Sequence, residues 1–297
     1  MGAEVTKCGF VALAGRPNAG KSTLTNLLVG EKVAIVSDRP QTTRRAIRGV
    51  VTTDDRQLIL TDLPGVQRPR DALTTRMQRR VERELGDTDV VLLVINGIEG
   101  VGPGDRFIAS LLKKAKAPVI AAVNKVDKVS HSQMLEVLTA TEALGVADAI
   151  VPISARKGTG IEQLLIELTA HMPEGPFLFP IDERSDQPLD VELAELVREQ
   201  ILRRTREEVP HAVEVQVEEI QTRRDGLLTV RAVIFVEAES QKGIIVGRGG
   251  RMVKAVGTAA RKEIQSLTGN RCHLELSVRV RKDWRGDERL LDRLGIN

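Results

Sequence analysis

The sequence predicts an α/β domain, a mostly parallel sheet with helices on both faces, followed by a smaller α+β domain. Three observations carry this reading. Short apolar runs alternate with amphipathic segments over residues 1–172, prolines interrupt the pattern over 173–189, and over 190–297 the order changes to helix, strand, strand, helix, helix, strand. A chain of 297 residues is also long enough for two cores.

The first strand is expected at 9–14, a continuous apolar run of the kind a buried parallel strand needs. Residues 22–29 have helical spacing. Segments 46–52 and 57–61 follow so closely that they would pair as an antiparallel hairpin at one edge of the sheet. Apolar runs at 90–95, 119–123 and 149–153 are separated by amphipathic stretches at 73–85, 106–114, 133–144 and 161–171. Strands alternating with helices imply crossover units. Pro173, Pro176, Pro180 and Pro188 then mark a linker. Beyond it, 191–205 reads as a helix, and 213–220 and 227–236 as strands joined by a turn at Asp225-Gly226. A short helix ending at Gly247, a longer one over 251–267 and a strand over 272–280 complete the second domain.

Composition narrows the function classes. Hydrophobic residues make up 41% and charged residues 29%, and no apolar stretch approaches the ~20 residues of a spanning helix. The N-terminus runs directly into the first strand, so no signal peptide is expected. Cys8 and Cys272 lie far apart, and neither belongs to a CxxC pair. That spacing predicts neither a disulfide framework nor a zinc site, and a reducing, cytoplasmic location. The net charge is +3, yet residues 240–297 hold thirteen Lys and Arg against six Asp and Glu. A basic tail behind an acidic remainder points to a polyanionic partner, nucleic acid or anionic membrane.

Gly15-Arg16-Pro17-Asn18-Ala19-Gly20-Lys21-Ser22 fits GxxxxGK[ST], with a strand before it and a helix after it. Backbone N–H groups of such a loop cradle phosphates at a helix N-terminus. Lys21 would reach the β- and γ-phosphates, and the Ser22 hydroxyl would bind Mg²⁺. Asn124-Lys125-Val126-Asp127 follows the strand at 119–123 and selects the base. The Asp127 carboxylate accepts from guanine N1–H and its exocyclic amine together. Adenine would leave that carboxylate unpaired, a mismatch such sites reject by roughly 10⁴-fold. Lys125 would lie along the base plane. Asp62-Leu63-Pro64-Gly65 ends the strand at 57–61, with Asp62 placed to hold the metal through water and the Gly65 amide to sense the γ-phosphate. Between the first helix and the next strand, Thr43, preferred over Thr42, would complete the magnesium shell. After the last strand of this domain, the amide of Ala155 in Ser154-Ala155-Arg156 would meet the guanine carbonyl oxygen.

Val66 occupies the position where some GTPases carry a water-orienting glutamine, so intrinsic turnover should be slow. Asn18 offers a substitute, as the asparagine that helps hold a K⁺ ion in potassium-activated GTPases. Lys21, Thr43, Gly65 and Asn18 are thus the candidate catalytic groups.

Inside the basic tail, Gly247-Arg248-Gly249-Gly250 fits the GxxG loop of a KH domain, and the element order matches the type II arrangement. Glycines let an RNA backbone approach the turn, while Arg248 and the next helix N-terminus meet phosphate. Lys242, Arg251 and Lys254 would add charge. A groove lined by Ile245, Val246 and Val253 would receive bases. Aromatics are only 2% of the chain, which argues against base stacking, and Trp284 reads as a packing anchor.

The five nucleotide elements resemble the G motifs of translation-factor-class GTPases. The chain as a whole resembles the Era family, bacterial GTPases that couple a G domain to a KH domain. The likeness runs through 15–22, 40–44, 62–65, 124–127, the Glu239-Ser240-Gln241-Lys242-Gly243 lead into GxxG, and 282–285. Arg156, where lysine is common, and Arg39 depart from the pattern without disturbing base or metal binding. The resemblance implies a GTP/GDP switch with Mg²⁺ that binds the 3′ end of small-subunit (16S) ribosomal RNA and assists maturation of the 30S subunit or its precursor. It also implies peripheral contact with the inner membrane surface; a monomer is expected. Two other readings compete. An RNA-modifying enzyme finds no modifying site, since His131, His171, His211 and His273 are scattered without metal spacing. A membrane-remodelling GTPase would leave GxxG unexplained.

Overall fold

The computed structural model describes residues 6–39, 41–66 and 69–296. Pro40, part of the 40–44 motif, lies outside the described residues, as do Met1–Val5 at the N-terminus. The chain forms two compact units: one runs to Asp186, and Gln187–Ile296 form the other, with which Asp71–Leu73 group.

The first unit contains, in order, β1 (Lys7–Ala14), α1 (Lys21–Val29), β2 (Ile47–Thr52), β3 (Arg56–Asp62), α2 (Ala72–Gly86), β4 (Val90–Asn96), α3 (Pro103–Leu112), β5 (Val119–Asn124), α4 (His131–Glu142), β6 (Ala149–Pro152) and α5 (Ile161–Ala170). The strand order is β2-β3-β1-β4-β5-β6. Among the described residues only the β2–β3 pair of this sheet is antiparallel, which puts the expected hairpin at the edge. The period of two in the apolar runs sorts side chains to two cores. Val11 and Leu13 of β1 with Leu92 and Val94 of β4 face α1 and α5. Ala12, Ala14, Val91, Leu93 and Ile95 face α2, α3 and α4. Each fully buried aliphatic side chain contributes about 1.5–3 kcal/mol, so both faces must be covered.

The segment expected as a linker from residue 173 is bonded along the first unit as far as Arg184. Cys8 N–H donates to Pro173 O (3.1 Å), Gly175 N–H to Thr6 O (3.0 Å) and Val50 N–H to Arg184 O (3.0 Å). Gln57, fully buried in β3, accepts from the N–H groups of Leu178 (2.8 Å) and Phe179 (3.0 Å) and donates to Phe179 O (2.9 Å). Prolines remove donors from this stretch, and the amides of Gly175, Leu178 and Phe179 reach Thr6 and Gln57.

The second unit contains α6 (Leu189–Leu202), α7 (Val209–Ala212), β7 (Glu214–Thr222), β8 (Leu228–Val236), α8 (Glu239–Val246), α9 (Arg251–Thr268), β9 (Cys272–Val280) and α10 (Glu288–Arg293). Its sheet runs β7-β8-β9, antiparallel and then parallel. The expected order holds, with the short helices α7 and α10 added. Trp284 is fully buried and its indole N–H donates to Ala212 O (2.8 Å), so it anchors the tail to α7.

Candidate functional site

The phosphate loop leaves the C-terminal end of β1, where the sheet order reverses direction, the place where open α/β sheets bind ligands. Lys21, the first residue of α1, is buried, and its Nζ bonds Gly15 O (3.0 Å) and Arg16 O (3.2 Å). Burial pushes its pKa down, against the pull of Asp62. Gly20 is required by geometry: it sits at φ 99°, and a Cβ there would lie 2.3 Å from Asn124 Nδ2.

Three oxygen donors from separate segments meet beside this loop. Ser22 Oγ donates to Asp62 Oδ2 (2.6 Å), and Thr43 Oγ1 lies 3.2 Å from Ser22 Oγ and 3.4 Å from Asp62 Oδ2. Thr42 Oγ1 instead donates to Arg39 O (2.5 Å). Asp62 is fully buried, and its Oδ1 has no hydrogen-bond partner among the described residues. Burial pushes its carboxyl up, while Lys21, Ser22 and Thr43 pull it down. Two hydroxyls and a carboxylate with one unsatisfied buried oxygen fit a hard cation such as Mg²⁺. Gly65 lies against Pro17, since a Cβ on it would come within 2.8 Å of the Pro17 ring. Val66 is buried in the core rather than turned to the pocket.

The base-reading segment is bonded directly to the phosphate loop. Asn124, at the end of β5, donates from Nδ2 to Ala19 O (3.0 Å), and Lys125 Nζ donates to Asn18 O (2.7 Å). Desolvation lowers the Lys125 pKa. Asp127 is exposed, and Ser154 Oγ donates to its Oδ1 (2.6 Å), which holds the carboxyl below the usual range. The Ala155 N–H, expected to face the guanine carbonyl, donates here to Asn124 Oδ1 (3.0 Å). Asn124 therefore ties three loops together. Asn18 adopts φ 63° and donates from Nδ2 to Asp38 O (2.8 Å). The Arg16 side chain runs to α3, with Nε 2.7 Å from Asp105 Oδ2, a partner that no motif marks in the sequence.

In the second unit, Gly247–Gly250 connects α8 to α9, with Gly249 at φ 61° and Gly250 at φ 76°. Arg248, Gly249, Arg251 and Lys254 are exposed, and Lys242 is half-buried, 3.9 Å from Glu239. Ile245 corrects the expectation. It is 0% exposed and belongs to the core, so it cannot line a base groove, whereas Ile244, one residue earlier, is 50% exposed. A step of one residue rotates a helical side chain by about 100°, and the apolar pair Ile244-Ile245 gave no sign of which one faces out. Arg204 and Lys262, which no motif marks, join Arg251 and Lys254 in lining an open groove with Ala255 and Ala259.

Comparison with known proteins agrees with this division. A family described as 50S ribosome-binding GTPase matches residues 10–125, and the KH domain family matches residues 208–285. The chain is 45% identical over 291 residues to GTPase Era of Lactobacillus helveticus, covering 98% of this chain and 96% of that one. It is 46% identical over 295 residues to GTPase Era of Mycobacterium avium, covering 98% and 99%. A crystal structure of an Aquifex aeolicus Era variant bound to GDP and AlF4⁻ superimposes with a TM-score of 0.94 at 36% identity, covering 98% and 99%. One of Era with MgGDPNP and nucleotides 1506–1542 of 16S ribosomal RNA gives 0.95, with the same identity and coverage. With a P-loop GTPase domain followed by a KH domain, this chain belongs to the Era family of GTPases.

Proposed function

We propose that this GTPase is a switch that holds the 3′ end of small-subunit ribosomal RNA on its KH domain and assists maturation of the 30S subunit in the cytoplasm. The observation that carries the switch is the meeting of Ser22 and Thr43 at Asp62 Oδ2, with the buried Asp62 Oδ1 left unsatisfied among the described residues. These residues would hold Mg²⁺, which when bound neutralises charge on the phosphates. Thr43 comes from a loop that nucleotide can order, and Gly65 abuts the phosphate loop, so both segments are placed to respond to a γ-phosphate. Lys21 would leave the loop carbonyls for phosphate oxygens. Asp127, kept ionised by Ser154, would read guanine. Val66, the residue directly after DxxG, is buried and apolar and so cannot orient water from that position, which supports slow intrinsic turnover. A K⁺ ion beside Asn18 and the Asp38 carbonyl would supply charge there; equal turnover in potassium and sodium buffers would end that part of the reading.

The RNA half rests on the exposed Gly247–Gly250 loop, on the cationic groove beside it, and on the relative whose structure contains 16S RNA. Affinity for a 3′-terminal 16S fragment, measured with GDP and with a GTP analogue over a salt series, tests the whole. Nucleotide-dependent affinity with a steep salt slope is expected. Replacing Arg248 and Gly249 by Asp should abolish RNA binding and leave GTP binding intact; retained RNA affinity would remove the KH assignment. Asp127→Asn should shift preference from GTP toward xanthosine triphosphate. Anionic vesicles assayed in parallel address peripheral membrane contact. Among the described residues no helix is long and apolar enough to cross a membrane.

A further inference from the structure

We infer that the Arg16 side chain is a positioning residue for the phosphate loop, locked from outside by the buried carboxylate of Asp105, and makes no contact with nucleotide. The main chain and side chain of Arg16 do different things. Its carbonyl belongs to the loop interior, accepting from Lys21 Nζ (3.2 Å) and Ala19 N–H (3.3 Å). Its guanidinium belongs to the start of α3: Nε pairs with Asp105 Oδ2 (2.7 Å), one terminal nitrogen donates to Gly100 O (2.9 Å), and the other lies 3.4 Å from Glu99.

Asp105 is a fixed anchor. It is fully buried as the third residue of α3, and the same Oδ2 accepts the Gly102 N–H (2.8 Å), which caps the helix. A carboxylate in the first turn is further favoured by the helix dipole. The stem of Arg16 lies in a channel open only because residue 104 lacks a side chain; a Cβ on Gly104 would fall 2.6 Å from Arg16 Cδ and 2.9 Å from Cγ. A second tie sits two residues on. Asn96, at the end of β4, donates to Glu99 (2.7 Å) and reaches Asn18 O (3.5 Å), so Arg16 and Asn18 both attach to the β4–α3 connection. The planar guanidinium suits this task because one terminal nitrogen donates to Gly100 O while its delocalised charge stays beside Asp105, a span that a lysine ammonium cannot reproduce.

A phosphate loop binds through N–H groups aimed at one point before the ligand arrives, and a displacement of about 1 Å can cost ~100-fold. Freeing the Arg16 side chain should therefore loosen the hold on both nucleotides, without preference for GTP. The test uses the full-length protein, with Kd for GDP and for a non-hydrolysable GTP analogue, KM and kcat for GTP, and Tm. Arg16→Gln should weaken GDP and analogue equally, by roughly 10–100-fold, with the loss falling mainly on KM. Arg16→Lys should recover only part of it. Asp105→Asn should cause a similar loss, and the double variant should be no worse than either single one, since both break one pair.

Gly104→Ala separates positioning from general stability. Arg16 and Asp105 both remain in this variant while the Cβ displaces the Arg16 stem, so GDP affinity, measured well below the variant's own Tm so that unfolding does not enter, should still fall. Additive losses in the double variant, or Gly104→Ala binding GDP as tightly as the parent, would overturn the assignment.

Discussion

The two glycine loops of this protein look alike in sequence and differ in what surrounds them. In the phosphate loop the space beside Gly20 is already taken by the Asn124 amide. In the GxxG loop no atom lies within 4 Å of where a Cβ would stand on Gly249. The first loop is tied to other segments through Asn124, Lys125 and Arg16. The second is anchored where Gly247 abuts Met252 and exposes Arg248 and Gly249 at its tip. A small ligand that must be enveloped needs the first arrangement, and a long polymer that must be approached from outside needs the second.

Single substitutions sharpen the contrast. Gly20→Ala should have the largest effect and abolish nucleotide binding, because left-handed backbone strain adds to a clash with Asn124; titration with a fluorescent GTP analogue would read it. Ile245→Ala should cost the KH unit about 2–5 kcal/mol in denaturant unfolding, as a buried aliphatic deletion does. Ile244→Ala should stay within about 0.5 kcal/mol while weakening RNA binding, and equal destabilisation of the two would break the assignment of faces. Gly249→Ala should cost only about 1–2 kcal/mol, the strain of a side chain at positive φ with free space around it.

The smallest effect concerns pH. The Ser154 hydroxyl depresses the Asp127 pKa, so the ionised, base-reading form survives as pH falls and is lost only below the ordinary carboxylate range. Ser154→Ala should raise that pKa and move the acid limb of GTP binding upward, toward the ordinary carboxylate range. An unmoved limb would mean that Asp127 is held by something else.

Much of this was legible in the chain itself, because the signals were local. The strand–loop–helix around residues 15–22, the NKxD turn after an apolar strand, and the edge hairpin each announce themselves within a dozen residues. What stayed hidden depends on contacts distant in sequence or on elements too short to show a period. Helices α7 and α10 span four and six residues, below the window in which periodicity speaks. Asp105 carries no motif, and its role exists only once α3 packs beside the phosphate loop. The Ala155 amide turns to Asn124 because the two loops converge in the fold, which neither segment encodes alone. Ile244 and Ile245 are both apolar, so only the packed helix says which one is core.

Gln57 sets where this protein can be divided. Both ends of its buried amide bond to Leu178 and Phe179, residues that the proline pattern assigns to a tether. A GTPase fragment ending at Met172 would strip those partners away from β3 and leave the Gln57 amide with only Thr52 Oγ1 (3.0 Å) and Cys8 Sγ (3.7 Å), at about 0.5–1.5 kcal/mol for each hydrogen bond removed. A fragment ending at Asp186 keeps them. This compact unit thus extends past α5, and residues 173–186 are part of its wall.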